Sequence, residues 1–110
     1  MRFSFLLVAV LLLCASAPAT AQEVSGRVWV GGNGAAQAVV TIACPQQAPI
    51  QATADGNGVY RMSVGGGGCT VQVSFQGKSS NRIPLRVAGR TTANLELTAR
   101  GNGWSLTRRG

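Results

Sequence analysis

Glycine clusters at Gly31-Gly32, Gly56-Asn57-Gly58 and Gly65 to Gly68 cut this chain into short runs, and within those runs apolar residues recur at every second position. A period of two, interrupted by turn residues every eight to twelve positions or so, belongs to half-buried strands joined by tight turns. No segment beyond the first twenty-one residues has a convincing helical period. The chain is therefore committed to an all-β fold before any single residue is considered.

The alternation assigns faces. In Gly26 to Val30 the valines share one face, and Arg27 and Trp29 share the other. Val40, Ile42 and Cys44 fall together, as do Tyr60, Met62 and Val64, with Arg61 and Ser63 outward. Ile50 to Asp55 alternates, and Gly56-Asn57-Gly58 then turns the chain as a hairpin. Cys69, Val71, Val73 and Phe75 alternate with Thr70, Gln72, Ser74 and Gln76. Ile83, Leu85 and Val87 share a face, and so do Ala93, Leu95 and Leu97. Seven short strands of this kind fold as a two-sheet sandwich. Pro84 cannot donate to a ladder, so its strand is an edge or pairs on one side only. Beyond Leu97, the basic tail from residue 99 to 110 either adds a short strand or hangs loose.

The first segment sets the compartment. Met1 and Arg2 precede the apolar run Phe3 to Leu13, and Ala19-Thr20-Ala21 places small residues before Gln22. That order is the pattern of a cleavable secretory signal over residues 1–21. The run is well short of the roughly 20 apolar residues a spanning helix needs. Leu13 is too large for a lipobox ahead of Cys14. The expected product is periplasmic or secreted, with no stable membrane insertion after cleavage. Arg2 leaves with the signal, so nine basic against three acidic side chains give the mature chain a charge of +6. Only Trp29, Tyr60, Phe75 and Trp104 remain as aromatics, so the core is built from Val, Ile, Leu and Ala. Cys44 and Cys69 survive cleavage, and each has the parity of its inward neighbours. Paired inward thiols in an oxidising compartment make a disulfide.

Ser25-Gly26-Arg27-Val28, Ala38-Val39-Val40-Thr41-Ile42 and Thr53-Ala54-Asp55-Gly56-Asn57-Gly58-Val59-Tyr60-Arg61-Met62 together resemble the carboxypeptidase regulatory-like domain. The matching layout is a G-x-V strand, a V-x-V/I strand, a T-D-x-x-G-x-Y/F hairpin and a glycine-led valine strand, the last filled by Cys69 to Phe75. The resemblance runs from Glu23 to about Thr98. It implies a seven-stranded Greek-key β-sandwich of transthyretin type over residues 22–98. It implies little about function, because the shared motifs are turns and core positions. The cysteine pair is not a general feature of that family.

Catalytic chemistry has little to work with. Histidine is absent, and the mature acids are Glu23, Asp55 and Glu96, scattered along the chain. A bridged cysteine pair supplies no thiolate. Asp55-Gly56-Asn57-Gly58 opens like a calcium loop, but Gly66 stands where the bidentate acid belongs. Gly65 to Gly68 lacks the Lys-Ser/Thr of a phosphate loop. The only lysine, Lys78, lies among polar loop residues, unlike the buried lysine of isopeptide-forming sandwiches. No enzyme activity, cofactor or metal is implied.

The charge remains. Arg27, Arg61, Arg82 and Arg86 take outward parity, and Arg90, Arg100, Arg108 and Arg109 follow. Arginine-rich surfaces attract phosphates, sulfates and carboxylates. In an exported protein nucleic acid is not the expected target. The expectation is an accessory module that binds or scaffolds a protein of the cell envelope, or else a glycan or other anionic envelope polymer. Its candidate residues are Arg27, Trp29, Arg82, Arg86 and Arg90. Arg82 and Arg86 share one strand face, and Arg90 extends that patch past the strand's end. Trp29 on the Arg27 face either stacks on sugars or is covered by the C-terminal tail. The arginines alternatively just keep a β surface soluble and its edges unpaired.

Overall fold

A computed structural model describes residues 22–109; the signal segment, Cys14 and Gly110 lie outside the described residues. Among these described residues every regular element is a strand: β1 (Gln22–Val30), β2 (Asn33–Gly34), β3 (Val39–Ala43), β4 (Ile50–Thr53), β5 (Val59–Val64), β6 (Gly67–Phe75), β7 (Lys78–Ser79), β8 (Ile83–Val87), β9 (Arg90–Thr92), β10 (Leu95–Arg100) and β11 (Gly103–Arg108). All seven expected regions carry a strand. Four more, β2, β7, β9 and β11, correct the count.

The strands form two sheets facing each other. One runs β11-β10-β1-β2, with β5 and β9 also paired to β1; the other runs β4-β3-β6-β7, with β8 also on β6. β1 organises the first sheet because it is long enough to take two partners on each flank. Its first half pairs antiparallel with β5 and parallel with β9. Its second half pairs with β2 and, in parallel, with β10. β8 hydrogen-bonds to β6 alone, with Pro84 opposite Thr70, which is the one-sided pairing that a proline without an N–H demands.

The inward parity is realised throughout. Val24, Val28, Val40, Ile42, Tyr60, Met62, Val64, Val71, Val73, Leu85, Val87, Leu95, Leu97 and Leu106 are all buried between the sheets. Burying each aliphatic side chain contributes about 1.5–3 kcal/mol. The disulfide joins Cys44 to Cys69 across neighbouring strands, with their Cα atoms 4.2 Å apart. The register of β3 on β6 ends at Ala43 opposite Thr70, and so sets the two cysteines face to face.

Three features correct, extend or decide the sequence reading. The Gly56-Asn57-Gly58 turn is not a hairpin: β4 pairs with β3, whereas β5 pairs with β1, so the turn carries the chain from one sheet to the other. Asp55 braces the turn from within. Its Oδ1 accepts from the backbone N–H groups of Asn57 at 2.8 Å and Val59 at 3.0 Å. The turn also docks on β1, where Val28 N–H donates to Gly58 O at 2.8 Å. Gly58 has a φ of +83°, and a Cβ there would lie 2.8 Å from Ala35 N, so only glycine fits.

The second feature is a close approach at Gly26. A Cβ on this residue would run into the carbonyl of Ala93, 2.6 Å from its carbon. The same carbonyl oxygen accepts from the Tyr60 hydroxyl at 2.6 Å. Tyr60, opposite Gly26 in the register, thus ties β5 to the β9–β10 junction across β1. Burial pushes its phenol well above the ordinary tyrosine range.

The third is the C-terminal tail, which is not loose. β11 pairs with β10 from Gly103 opposite Arg100 to Arg108 opposite Leu95. Its Leu106 joins the core. No helix among the described residues is long and apolar enough to cross a membrane.

Candidate functional site

Period two puts Arg27 and Trp29 side by side on the outer face of the six-stranded sheet. The Arg27 guanidinium carbon stands 4.2 Å from the centre of the Trp29 ring. Its Nε–H also donates to Asn57 O at 2.8 Å, which pins the arginine from a second side. β11 brings in Arg109, 5.3 Å from the same ring. Arg109 in turn meets Glu96 at 4.0 Å, and Glu96 stands beside Trp29 in the register. The half-buried indole therefore carries two guanidinium groups, one of them from the tail. Cation–π pairs at this exposure contribute about 0.5–1 kcal/mol each. Cover of Trp29 by the C-terminal tail is one of the two alternatives expected from the sequence, and the tail supplies it through Arg109, which reaches the ring from two strands away.

The other arginines do not form one patch. Arg82 and Arg86 are exposed on the outer side of the five-stranded sheet, at its β8 edge. Arg90 pairs with Glu23 in the register of β9 on β1, on the outer side of the opposite sheet. The expectation that Arg90 extends the Arg82–Arg86 patch is thus corrected. The chain changes sheets between β8 and β9, so outward on one strand points away from outward on the next.

All three acids are engaged elsewhere. Glu23 meets Arg61 at 3.9 Å, and Glu96 meets Arg109. Asp55 is held by its turn: hydrogen bonds from the backbone N–H groups of Val59 and Asn57 keep its carboxyl below the usual 3.8. Among the described residues no carboxylate bridges Arg82, Arg86, Arg90 or Arg100. The five-stranded sheet contains no acidic residue in any of its strands, and its outward rows are mostly polar, with Thr41, Gln51, Thr53, Thr70, Gln72 and Ser74, interrupted by Val39 and Ala43.

A cleft of about 370 Å3 opens at the edge where β7 and the segment after it meet the β10–β11 hairpin. Ser79, Asn81, Arg100, Gly103, Trp104 and Ser105 line it. Trp104 is fixed there: its indole N–H donates to Phe75 O at 3.0 Å, and its ring lies 5.6 Å from that of Phe75. The opposing segment is equally anchored. Buried Ser80 accepts from Val73 N–H at 3.0 Å, and Asn81 Oδ1 accepts from Leu106 N–H at 2.8 Å. Arg100 is the one charged residue of the lining. No alternation marks residues 76–82, and Trp104 lies in the tail whose course was open, so sequence offered no signal for this site.

No family model matches the chain, and no curated protein matches it. Among solved structures it is similar to a DUF3823 family protein from Parabacteroides merdae, with a TM-score of 0.54 and 13% identity. The likeness covers 83% of this chain and 48% of that one, so the chain spans about half the length of its neighbour. At this identity the likeness shows the fold alone, a β-sandwich.

Proposed function

We propose that this chain is an exported binding module of the cell envelope, without a catalytic centre of its own, that docks an anionic surface polymer on its five-stranded sheet. One observation carries the reading. Every carboxylate of residues 22–109 is taken up by the other sheet or by the β4–β5 turn, while Arg82 and Arg86 stand unneutralised beside a polar, acid-free face. Guanidinium groups offer paired N–H donors to carboxylate, sulfate or phosphate. The threonine and glutamine rows beside them add neutral hydrogen-bonding groups. The secretory signal and the disulfide support an oxidising compartment outside the cytoplasm. Absent histidine, bridged thiols and separated carboxylates support a binding role over catalysis. The regulatory-like motifs support a Greek-key sandwich related to that family.

The test is capture from native envelope by the mature protein against an Arg82→Glu/Arg86→Glu variant. Enrichment of an acidic polymer by the wild type, lost in the variant, is the expected result. Equal recovery by both, or recovery of neutral polymers only, overturns the assignment.

A further inference from the structure

We propose that the free edge of β4 is a self-association surface, through which two copies of this chain pair antiparallel about a two-fold axis at Ala52. β4 pairs with β3 alone. Which of its backbone groups are spare follows from one bond. Ala54 N–H donates to Ala38 O at 2.8 Å, so Ala54 turns its polar groups toward β3. Backbone groups alternate in direction along a strand, so Ala52 and Ile50 do the same, and Gln51 and Thr53 aim their N–H and C=O groups away from the sheet. The opposite flank agrees. Val73 N–H donates to Ser80 Oγ on the β7 side, which turns Gln72 toward Thr41 of β3 and leaves Val40 and Ile42 to face β4. Gln51 and Thr53 are both exposed, and Gln51 Nε2 donates to Thr41 Oγ1 at 3.2 Å, which draws that side chain back over its own sheet.

Unpaired edges invite another chain, and proteins guard them with charge, proline or short length. The other long edges here are guarded. Pro84 withholds a donor on β8, and Arg82 and Arg86 flank it. On β5, Asp55 takes both polar groups of Val59: its N–H donates to Val59 O at 2.9 Å, and its Oδ1 accepts from Val59 N–H at 3.0 Å. Arg61 puts a charge on the same strand. On β11, Leu106 N–H is taken by Asn81 Oδ1, and Trp104 bridges to Ser80. β4 has no such guard. It contains no proline, and no charged residue occurs from Val28 to Ala54, so a basic chain meets its own copy here without like charges in register. The edge is also complementary to itself. An axis at Ala52 sets Gln51 of each copy opposite Thr53 of the other, so all four outward N–H groups find outward carbonyls. Ala52 then faces Ala52 across the axis, where Cα atoms come within about 4.5 Å and a small side chain fits. Moving the axis to Gln51 sets Thr53 opposite Pro49, which has no N–H. Moving it to Thr53 sets Gln51 opposite Asp55, whose N–H is already committed to Val59. Both copies use the same edge, so the assembly closes as a dimer. Arg82 and Arg86 lie at the far edge of the sheet and stay free.

The experiment is sedimentation equilibrium of the mature oxidised protein at concentrations up to about 1 mM, where small transient interfaces register. A reversible monomer–dimer equilibrium is expected. Gln51→Lys/Thr53→Lys, at two exposed positions, should weaken it at least tenfold with an unchanged melting temperature, because each lysine then faces a lysine of the other copy. Mixing that variant with Gln51→Glu/Thr53→Glu should restore association as a heterodimer, which a misfolded protein could not give. Thr98→Lys/Thr107→Lys adds the same charge at exposed positions of the other sheet and should change the constant less than threefold. A chain that stays monomeric throughout the range, a lysine variant weakened less than tenfold, or a mixture that does not associate overturns the assigned edge. So does an equal loss in Thr98→Lys/Thr107→Lys, which would make net charge the cause.

Discussion

Replacing Gly26 with alanine adds one methyl group where the structure has no room for it. The new Cβ runs into the Ala93 carbonyl, with the carbonyl carbon only 2.6 Å away. Either β1 separates from the β9–β10 junction or Ala93 turns aside, and in both cases the 2.6 Å bond from the Tyr60 hydroxyl is broken. Leaving those buried partners unsatisfied costs about 1–3 kcal/mol. Accommodating the methyl costs about 1–3 kcal/mol more. Gly26→Ala should therefore lose some 2–6 kcal/mol, and Tyr60→Phe, which removes the hydrogen bond alone, about 1–3 kcal/mol. Because both changes break the same bond, they are not independent. Tyr60→Phe made in the Gly26→Ala background should cost at least ~0.5 kcal/mol less than in the wild type. Urea unfolding of the four proteins, oxidised and at neutral pH, measures all these terms. A Gly26→Ala variant within ~0.5 kcal/mol of wild type, or strict additivity of the pair, would refute the tether.

Replacing Cys44 and Cys69 with alanine opens a loop between residues 25 apart and should lower stability by about 3.5 kcal/mol in the chain-entropy treatment, read from urea midpoints with and without reductant. Asp55 has a folded pKa held below its unfolded value, so its contribution is present above the unfolded value and is lost as the pH falls through the folded one. Acid titration of stability should show this decline below about pH 4, and Asp55→Asn should remove that part of the slope. Intact mass of the exported protein should begin at Gln22, with two daltons missing for the bridge; a species that retains Cys14 would contradict the assigned cleavage.

Which side of each strand is buried was legible from the chain alone, because a strand's faces alternate with period two and apolar residues mark one of them. Val71 and Val73, or Leu95 and Leu97, need no partner to declare their face. The disulfide was legible for the same reason, since Cys44 and Cys69 share the parity of Ile42 and Val71. What alternation does not encode is the neighbour. The Asp55 to Gly58 turn reads as a hairpin in either sheet arrangement, and only its docking on Val28 and Ala35 sends β5 to the other sheet. Arg90 was misplaced by the same gap, as a change of sheet inverts the meaning of outward. At the candidate sites, Arg27 beside Trp29 follows from a spacing of two. Arg109 above Trp29, and Trp104 against Phe75, are long-range contacts that pairing of β11 creates.

The central claim is that binding lies on the acid-free face, and equilibrium binding to a lipopolysaccharide across a salt series tests it most directly. Two double charge reversals of equal net charge are compared, Arg82→Glu/Arg86→Glu on the five-stranded sheet and Arg61→Glu/Arg90→Glu on the six-stranded one. Screening shortens to about 8 Å at physiological ionic strength, so wild-type affinity should fall steeply with salt. The first variant should bind weakly with a flattened salt dependence, and the second should stay near wild type. Folding should change little in the first, because its exposed arginines have no ion-pair partner to lose. Equal weakening by the two variants would assign the attraction to net charge and contradict the claim.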